Sequence, residues 1–215
     1  MDLNFLIRRA NSPNEKIGCI FMFHGYGSNK EDLFSLEGFL PKDHTVISLE
    51  APILLPFGGF TWFDVDQADI INRSYYKKKD DVDNIADIII KNIDELSEEH
   101  GLNKSDITVL GFSQGGSICW KLGLDYSGKI RRILPISSYI NLDTFNNKIH
   151  KYNNILAYTS HGLYDDIIPI SLVKEAILEL IKYNDNITFE EFKSGHTINQ
   201  ENLSSIIKWI DRTNI

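Results

Sequence analysis

Residues 111–115 read Gly-Phe-Ser-Gln-Gly, directly after the short apolar, partly β-branched run Ile107-Thr108-Val109-Leu110. A strand that stops at Gly-x-Ser-x-Gly and opens into a helix turns so tightly that the serine is held at strained dihedrals, its hydroxyl raised above the sheet. Small residues two positions before and after it are required, because a Cβ there would meet neighbouring backbone. Ser113 is therefore the candidate nucleophile. The bland reading of the same residues is a glycine-rich strand–helix turn with a capping serine. A serine hydroxyl attacks a carbonyl only with an imidazole to take its proton and a carboxylate to hold that imidazole's tautomer. Downstream of Ser113, Asp165 and Asp166 stand side by side after one apolar run, and His196 follows another in Lys193-Ser194-Gly195-His196-Thr197. His161 is the rival base by composition, and the alternative for it is a polar residue packed at a strand end. A tetrahedral intermediate also needs donors for its oxyanion. The backbone N–H of Gln114, at the start of the helix after Ser113, gains from the helix dipole. The second donor belongs to the loop His24-Gly25-Tyr26-Gly27, with the N–H of Tyr26 as the candidate.

These residues need a scaffold, and the chain alternates strand-like and helix-like segments from about residue 17 onward. The run 17–23 is apolar without alternation, as a strand covered on both faces is. A short helix is expected over 30–40, a strand over 45–49, and a loop rich in Pro, Gly and aromatics over 52–68. Val82, Ile85, Ile89, Ile93 and Leu96 carry helical spacing through 80–99, and Gly101 stops that helix. Strands are expected at 107–110, 130–137, 155–160 and 187–192, and helices at 114–124, 171–183 and 200–211. Such alternation predicts one α/β domain over residues 1–215, a mostly parallel sheet with helices on both faces and ligands at the carboxyl ends of its strands. Every candidate residue falls at such an end. This is the pattern of the α/β-hydrolase fold, in which the triad runs Ser, then acid, then His along the chain. That order selects His196 over His161, which precedes the acid.

The bulk properties narrow the partners. The 215 residues suit one core, and a formal net charge of −8 disfavours nucleic acid and anionic membranes. The basic run at 77–79 is answered at once by Asp80-Asp81. Cys19 and Cys119 read as buried thiols rather than a disulfide, and no Cys/His cluster suggests a metal. No segment approaches about 18 apolar residues and no secretory leader is evident, so no membrane insertion and a cytoplasmic location are the expectations.

Taken together, the motifs resemble the phospholipase/carboxylesterase family of small α/β-hydrolases, which includes the acyl-protein thioesterases. The matching pieces are His24-Gly25-Tyr26-Gly27, Thr61-Trp62-Phe63-Asp64, Gly111-Phe112-Ser113-Gln114-Gly115-Gly116, Leu134-Pro135-Ile136-Ser137-Ser138-Tyr139, the segment Asp165–Pro169, and Gly195-His196. They run in family order over nearly the whole chain. The resemblance to the Asp-x-[Val/Ile]-[Val/Ile]-Pro pattern of this fold favours Asp165 over Asp166. It further implies no large cap domain, no cofactor, a small-molecule ester substrate and a possible homodimer. The expected activity is that of a serine carboxylesterase on small to medium acyl esters. Trp62, Phe63, Phe57 and Phe60 are the candidates to line the acyl pocket, against ordinary core or loop packing. The competing activities are acyl-protein thioesterase or lysophospholipase. From another class comes a catalytically inactive binding protein on a hydrolase scaffold.

Overall fold

The computed structural model describes residues 1–11, 18–65, 79–140 and 155–214. Residue 17 of the first expected strand, residues 66–68 of the expected loop and Lys77-Lys78 of the basic run lie outside the described residues. Seven strands form the main sheet: β1 (Phe5–Arg8), β2 (Cys19–Phe23), β3 (Thr45–Leu49), β6 (Ile107–Phe112), β7 (Arg132–Ile136), β8 (Leu156–Gly162) and β9 (Ile187–Phe192). Their spatial order is β1-β3-β2-β6-β7-β8-β9. All neighbours pair parallel except β1, which runs antiparallel to β3, with Phe5 opposite Leu49 and Arg8 opposite Val46. This is the α/β-hydrolase architecture expected from the alternation of elements. Two small strands, β4 (Ile53–Leu54) and β5 (Phe60–Thr61), form a separate hairpin.

The helices are α1 (Lys30–Phe34), α2 (Lys79–Glu99), α3 (Gln114–Asp125), α4 (Ile170–Ile181) and α5 (Gln200–Arg212). Side chains alternate across a strand, so the central strands feed two separate cores. Phe21, Phe23, Ile47 and Val109 pack on one face with Ile85 and Ile89 of α2, Ile118 of α3, and Val173 and Ile177 of α4. Ile20, Met22, Val46 and Leu110 pack on the other with Leu33 of α1 and with Ile206, Trp209 and Ile210 of α5. The i, i+3, i+4 spacing of the last three gives α5 its apolar stripe. Asn199 caps its start by accepting the Asn202 N–H at 2.8 Å. Cys19 and Cys119 are buried free thiols on the first face.

Two expectations need correction. The stretch read as a loop over 52–68 contains the β4–β5 hairpin, and α1 ends at Phe34, with turns rather than helix to residue 39. The strand β1 had no counterpart in the sequence reading. β2 and β6 are adjacent, yet β2 leads outward through β3 in one direction while β6 leads through β7 in the other. The crevice above β2 and β6 is therefore the topological switch point, where ligands of open α/β sheets bind.

Candidate active site

Ser113 stands immediately beyond β6 at φ 54° and ψ −114°. Only a tightly determined turn holds a non-glycine residue there. The glycines around it make the turn possible. A Cβ on Gly111 would come within 2.2 Å of the Gly115 carbonyl oxygen, and one on Gly115 within 2.0 Å of the Phe23 carbonyl oxygen. The elbow thus sits directly against the end of β2. Ser113 occupies the N-cap position of α3, but its side chain makes no capping bond. Its Oγ lies 3.0 Å from His196 Nε2 instead.

His196 follows β9, and Asp165 follows β8. The two loops are joined by backbone bonds, Leu163 N–H to the Phe192 carbonyl at 2.8 Å and Tyr164 N–H to the Ser194 carbonyl at 2.9 Å. His196 Nδ1 lies 2.7 Å from Asp165 Oδ2. Because an ionised carboxylate only accepts, Nδ1 carries the proton and Nε2 presents its lone pair to the Ser113 hydroxyl. The Phe112 ring lies against the imidazole, centroids 4.8 Å apart.

The two aspartates have separate fates. Asp165 is buried and Asp166 is exposed. Asp165 Oδ1 accepts the N–H groups of Ile167 at 3.0 Å and Ile168 at 2.8 Å, two and three residues ahead. The same turn built on Asp166 would need an N–H from Pro169, which has none. The spacing to proline therefore has a physical basis. Asp165 Oδ2 is shared between His196 Nδ1 and the fully buried His161 Nε2, 3.1 Å away. His161 Nε2 also donates to the Ile168 carbonyl at 2.8 Å, which fixes its proton on that nitrogen. Burial opposes ionisation of Asp165. The hydrogen bonds from His161, His196 and Ile168 outweigh it and hold the carboxyl well below the usual carboxylate range.

The loop after β2 is pinned from several directions. His24 Nδ1 donates to the Gly25 carbonyl at 2.8 Å, and His24 Nε2 accepts the Ala51 N–H at 3.1 Å. Burial lowers the pKa of this ring, which suits its neutral, doubly engaged state. Gly27 N–H donates to the Phe60 carbonyl at 2.9 Å, and Phe60 N–H to the Ser28 carbonyl at 2.7 Å. Tyr26 is exposed while its neighbours His24 and Gly25 are buried. Among the described residues, neither the Tyr26 nor the Gln114 amide N–H has a backbone acceptor. Each is free to meet an oxyanion.

The four aromatic candidates divide. Trp62 and Phe63 are 1% and 3% exposed and belong to the core, so they offer a substrate no surface. Trp62 stacks edge-on against Phe23 and donates its indole N–H to the His24 carbonyl at 2.9 Å. It anchors the loop of Tyr26 rather than lining a pocket. Phe60 is partly buried against the core, and Phe57 is exposed, its ring 6.4 Å from that of Tyr26.

The sequence reading missed a contact that joins these pieces. The Gln114 side chain is fully buried. Its Oε1 accepts the Trp62 N–H at 3.0 Å, and its Nε2 donates to Thr61 Oγ1 at 3.0 Å and to the Phe63 carbonyl at 2.7 Å. The Thr61 hydroxyl in turn donates to the Phe63 carbonyl at 2.7 Å. The only signal in the sequence was the joint presence of Gln in the elbow and Thr-Trp-Phe some fifty residues earlier. Among the described residues, no group of three His, Cys, Asp or Glu is placed to hold a metal ion, and no helix is long and apolar enough to cross a membrane.

Comparison with known proteins agrees with this fold. The structure superposes on esterase PE8 with a TM-score of 0.80 and 22% identity, covering 99% of each chain. For the Bacillus cereus carboxylesterase the TM-score is 0.80 at 15% identity, over 98% of this chain and 94% of the other. For the Zea mays acyl-protein thioesterase 2 it is 0.71 at 19% identity, over 97% and 98%. In sequence, the chain is 21% identical over 172 residues to acyl-protein thioesterase 1 of Yarrowia lipolytica, covering 75% of this chain and 73% of that protein. The family model described as phospholipase/carboxylesterase matches residues 5–214, and the chain belongs to that family of carboxylic ester hydrolases.

Proposed function

We propose that this protein is a serine carboxylesterase that works through an acyl-enzyme and takes small to medium acyl esters. The observation that carries the reading is the relay from Ser113 Oγ to His196 Nε2 at 3.0 Å and from His196 Nδ1 to Asp165 Oδ2 at 2.7 Å. Ser113 Oγ attacks the ester carbonyl while His196 takes its proton. Asp165, ionised and held by four donors, keeps the imidazole in the tautomer that accepts at Nε2 and stabilises the imidazolium. The carbonyl oxygen, now an oxyanion, is met by the N–H groups of Tyr26 and Gln114. His196 then hands its proton to the departing alkoxide, and the acyl group stays on Ser113. A water molecule deprotonated by the same imidazole releases the acid. Phe57 and Phe60 keep ring surface beside the loop of Tyr26, and the acyl chain lies along that side.

The likeness to proteins named acyl-protein thioesterase supports a second reading within the same chemistry, a thioesterase. A panel of matched esters and thioesters of graded acyl length separates the two by kcat/KM. The mechanism is tested by a fluorophosphonate probe, which bonds only an activated serine. Labelling at Ser113 that disappears in Ser113→Ala, together with a loss of ester turnover of about 10³–10⁶-fold, is the expected result. A protein that is neither labelled nor active is an inert scaffold, and turnover retained by Ser113→Ala removes this residue from the mechanism.

A further inference from the structure

An open cleft of about 210 Å³ lies on the α1 side of His196. Its walls are Leu33 and Leu36 from α1 and the turn after it, Phe112 from the elbow, and His196 and Ile198 from the loop after β9, with Asp32 beside them. None of the residues assigned above to the oxyanion or the acyl side lines it. We propose that this cleft receives the leaving-group half of the substrate, and that this half is an apolar alcohol without negative charge. The inference rests on the acyl-enzyme reading of the preceding subsection.

The two halves of the substrate have different fates. In acylation, the bond from Ser113 Oγ to the acyl carbon forms and the bond from that carbon to the leaving oxygen breaks. The proton passes from Ser113 to His196 Nε2 and from there to the leaving oxygen. The acyl half therefore remains at Ser113, with its carbonyl oxygen toward the Tyr26 and Gln114 amides. The leaving oxygen must come within hydrogen-bond reach of Nε2, about 2.6–3.2 Å. Whatever that oxygen carries continues past His196, and His196 is one of the residues that line this cleft. No other member of the triad lines it.

The lining sets the chemistry. Leu33 is buried, and Leu36, Phe112 and Ile198 are partly exposed, so an apolar group laid there removes carbon surface from water on both sides, worth roughly 25 cal/mol per Å². Besides His196 the polar lining is Ser35 and Thr197, and among the described residues the only acidic or basic side chain other than His196 is the exposed Asp32, whose Oδ2 accepts the Ser28 hydroxyl at 2.8 Å. Among the described residues, no lysine or arginine lines the cleft. A carboxylate or phosphate on the leaving group would meet the Asp32 carboxylate and no permanent cation to offset it. At roughly 30 Å³ for a water-sized unit, the volume accommodates a ring or short alkyl chain, and the open side lets longer groups project.

The test varies the alcohol and keeps the acyl group. Methyl, benzyl and 4-carboxybenzyl butyrate leave as alcohols of similar acidity, so differences in kcat/KM report binding of the departing half. The wild-type protein should prefer benzyl over 4-carboxybenzyl butyrate by at least tenfold, and Asp32→Asn should narrow that gap severalfold. Leu36→Trp or Ile198→Trp, by filling the cleft, should lower the benzyl-to-methyl ratio of kcat/KM at least tenfold. Neither should alter acyl selectivity, read as methyl octanoate against methyl butyrate. The inference is overturned if the wild-type protein does not discriminate against 4-carboxybenzyl butyrate. It is equally overturned if both tryptophan variants keep the benzyl-to-methyl ratio, or shift acyl selectivity instead. The wild-type series alone decides should the tryptophan variants not fold. Fluorophosphonate labelling and methyl butyrate turnover distinguish the two levels. With both present, a negative series removes the cleft assignment only; with both absent, the esterase reading falls and this inference with it.

Discussion

Replacing Asp165 by Asn tests the site most sharply, because the carboxylate is surrounded entirely by donors. Oδ1 receives the Ile167 and Ile168 N–H groups, and Oδ2 receives His196 Nδ1–H and His161 Nε2–H. An asparagine has one oxygen and one NH₂ in the same space. With its oxygen toward the backbone, the NH₂ faces two ring N–H groups. His196 is then driven to the opposite tautomer, with its proton on Nε2, and can no longer accept from Ser113. With its oxygen toward His196, the NH₂ faces the part-buried Ile167 N–H and the buried Ile168 N–H, the latter left unsatisfied at about 1–3 kcal/mol. The first arrangement is cheaper for folding and ruinous for catalysis. The expected loss in kcat is up to about 10⁴-fold, or ~5 kcal/mol of transition-state stabilisation. The assay is steady-state hydrolysis of a chromogenic butyrate ester by Asp165→Asn and by Asp166→Asn, each with thermal unfolding. Asp166 is exposed, and its substitution should change kcat less than about threefold. The stability difference between wild type and Asp165→Asn has a definite pH dependence. Folding lowers the Asp165 pKa, so the carboxylate contributes fully above the unfolded value of about 3.9. That contribution declines as pH falls from there through the folded value, so the gap should close in acid. A larger catalytic loss for Asp166→Asn, or an Asp165→Asn protein within tenfold of wild type, refutes the reasoning.

Three further outcomes follow from contacts away from the reacting atoms. Gln114→Ala keeps the backbone N–H but strands the Trp62 N–H, takes one of two partners from the Thr61 hydroxyl and from the Phe63 carbonyl, and leaves a cavity in place of a buried side chain. It should cost about 2–4 kcal/mol, a Tm decrease on the order of 5–15 °C by calorimetry, with a smaller loss of kcat than Ser113→Ala. Gly115→Ala should yield little folded protein by circular dichroism, because its Cβ would sit 2.0 Å from the Phe23 carbonyl oxygen, and both are backbone-fixed. Asp106→Ala removes the carboxylate that pairs with the fully buried Arg132 at 2.7 Å, at the end of the sheet opposite the site. Urea unfolding should show a loss of about 3–5 kcal/mol, with kcat/KM unchanged in the protein that remains folded.

Much of the site was legible because its parts are local in sequence. The elbow announces itself through glycines two residues either side of Ser113, and Gly195-His196 follows a strand that begins and ends where the pattern says, Ile187–Phe192. The choice of Asp165 over Asp166 came from a resemblance, and the turn geometry supplies its cause in the missing N–H of Pro169. The failures are of another kind. β1 is four half-buried residues on an edge, too short to print a period. β4 and β5 are two residues each among Pro and Gly, which read as loop. Trp62 and Phe63 looked like pocket aromatics because composition does not say which way a ring faces. Their placement is set by Gln114 and His24, partners 52 and 38 residues away. Nothing in the sequence foretold that His161 would share the acid with His196, since chain order had set it aside.

The neutral His24 ring has a consequence for how the molecule is assembled. In the folded chain one ring nitrogen must donate to Gly25 and the other must accept from Ala51, so a second proton would set a donor against the Ala51 N–H. The unfolded chain has no such demand, and its imidazole titrates near the ordinary value of about 6.5. In mildly acidic solution, folding therefore expels a proton from this residue into the solvent. The loop of Tyr26 takes shape only as that proton leaves, and refolding in a weakly buffered solution at about pH 6 should acidify the medium. Because the folded pKa is the lower one, the contribution of His24 to stability is whole above the unfolded value and drains away as pH drops below it.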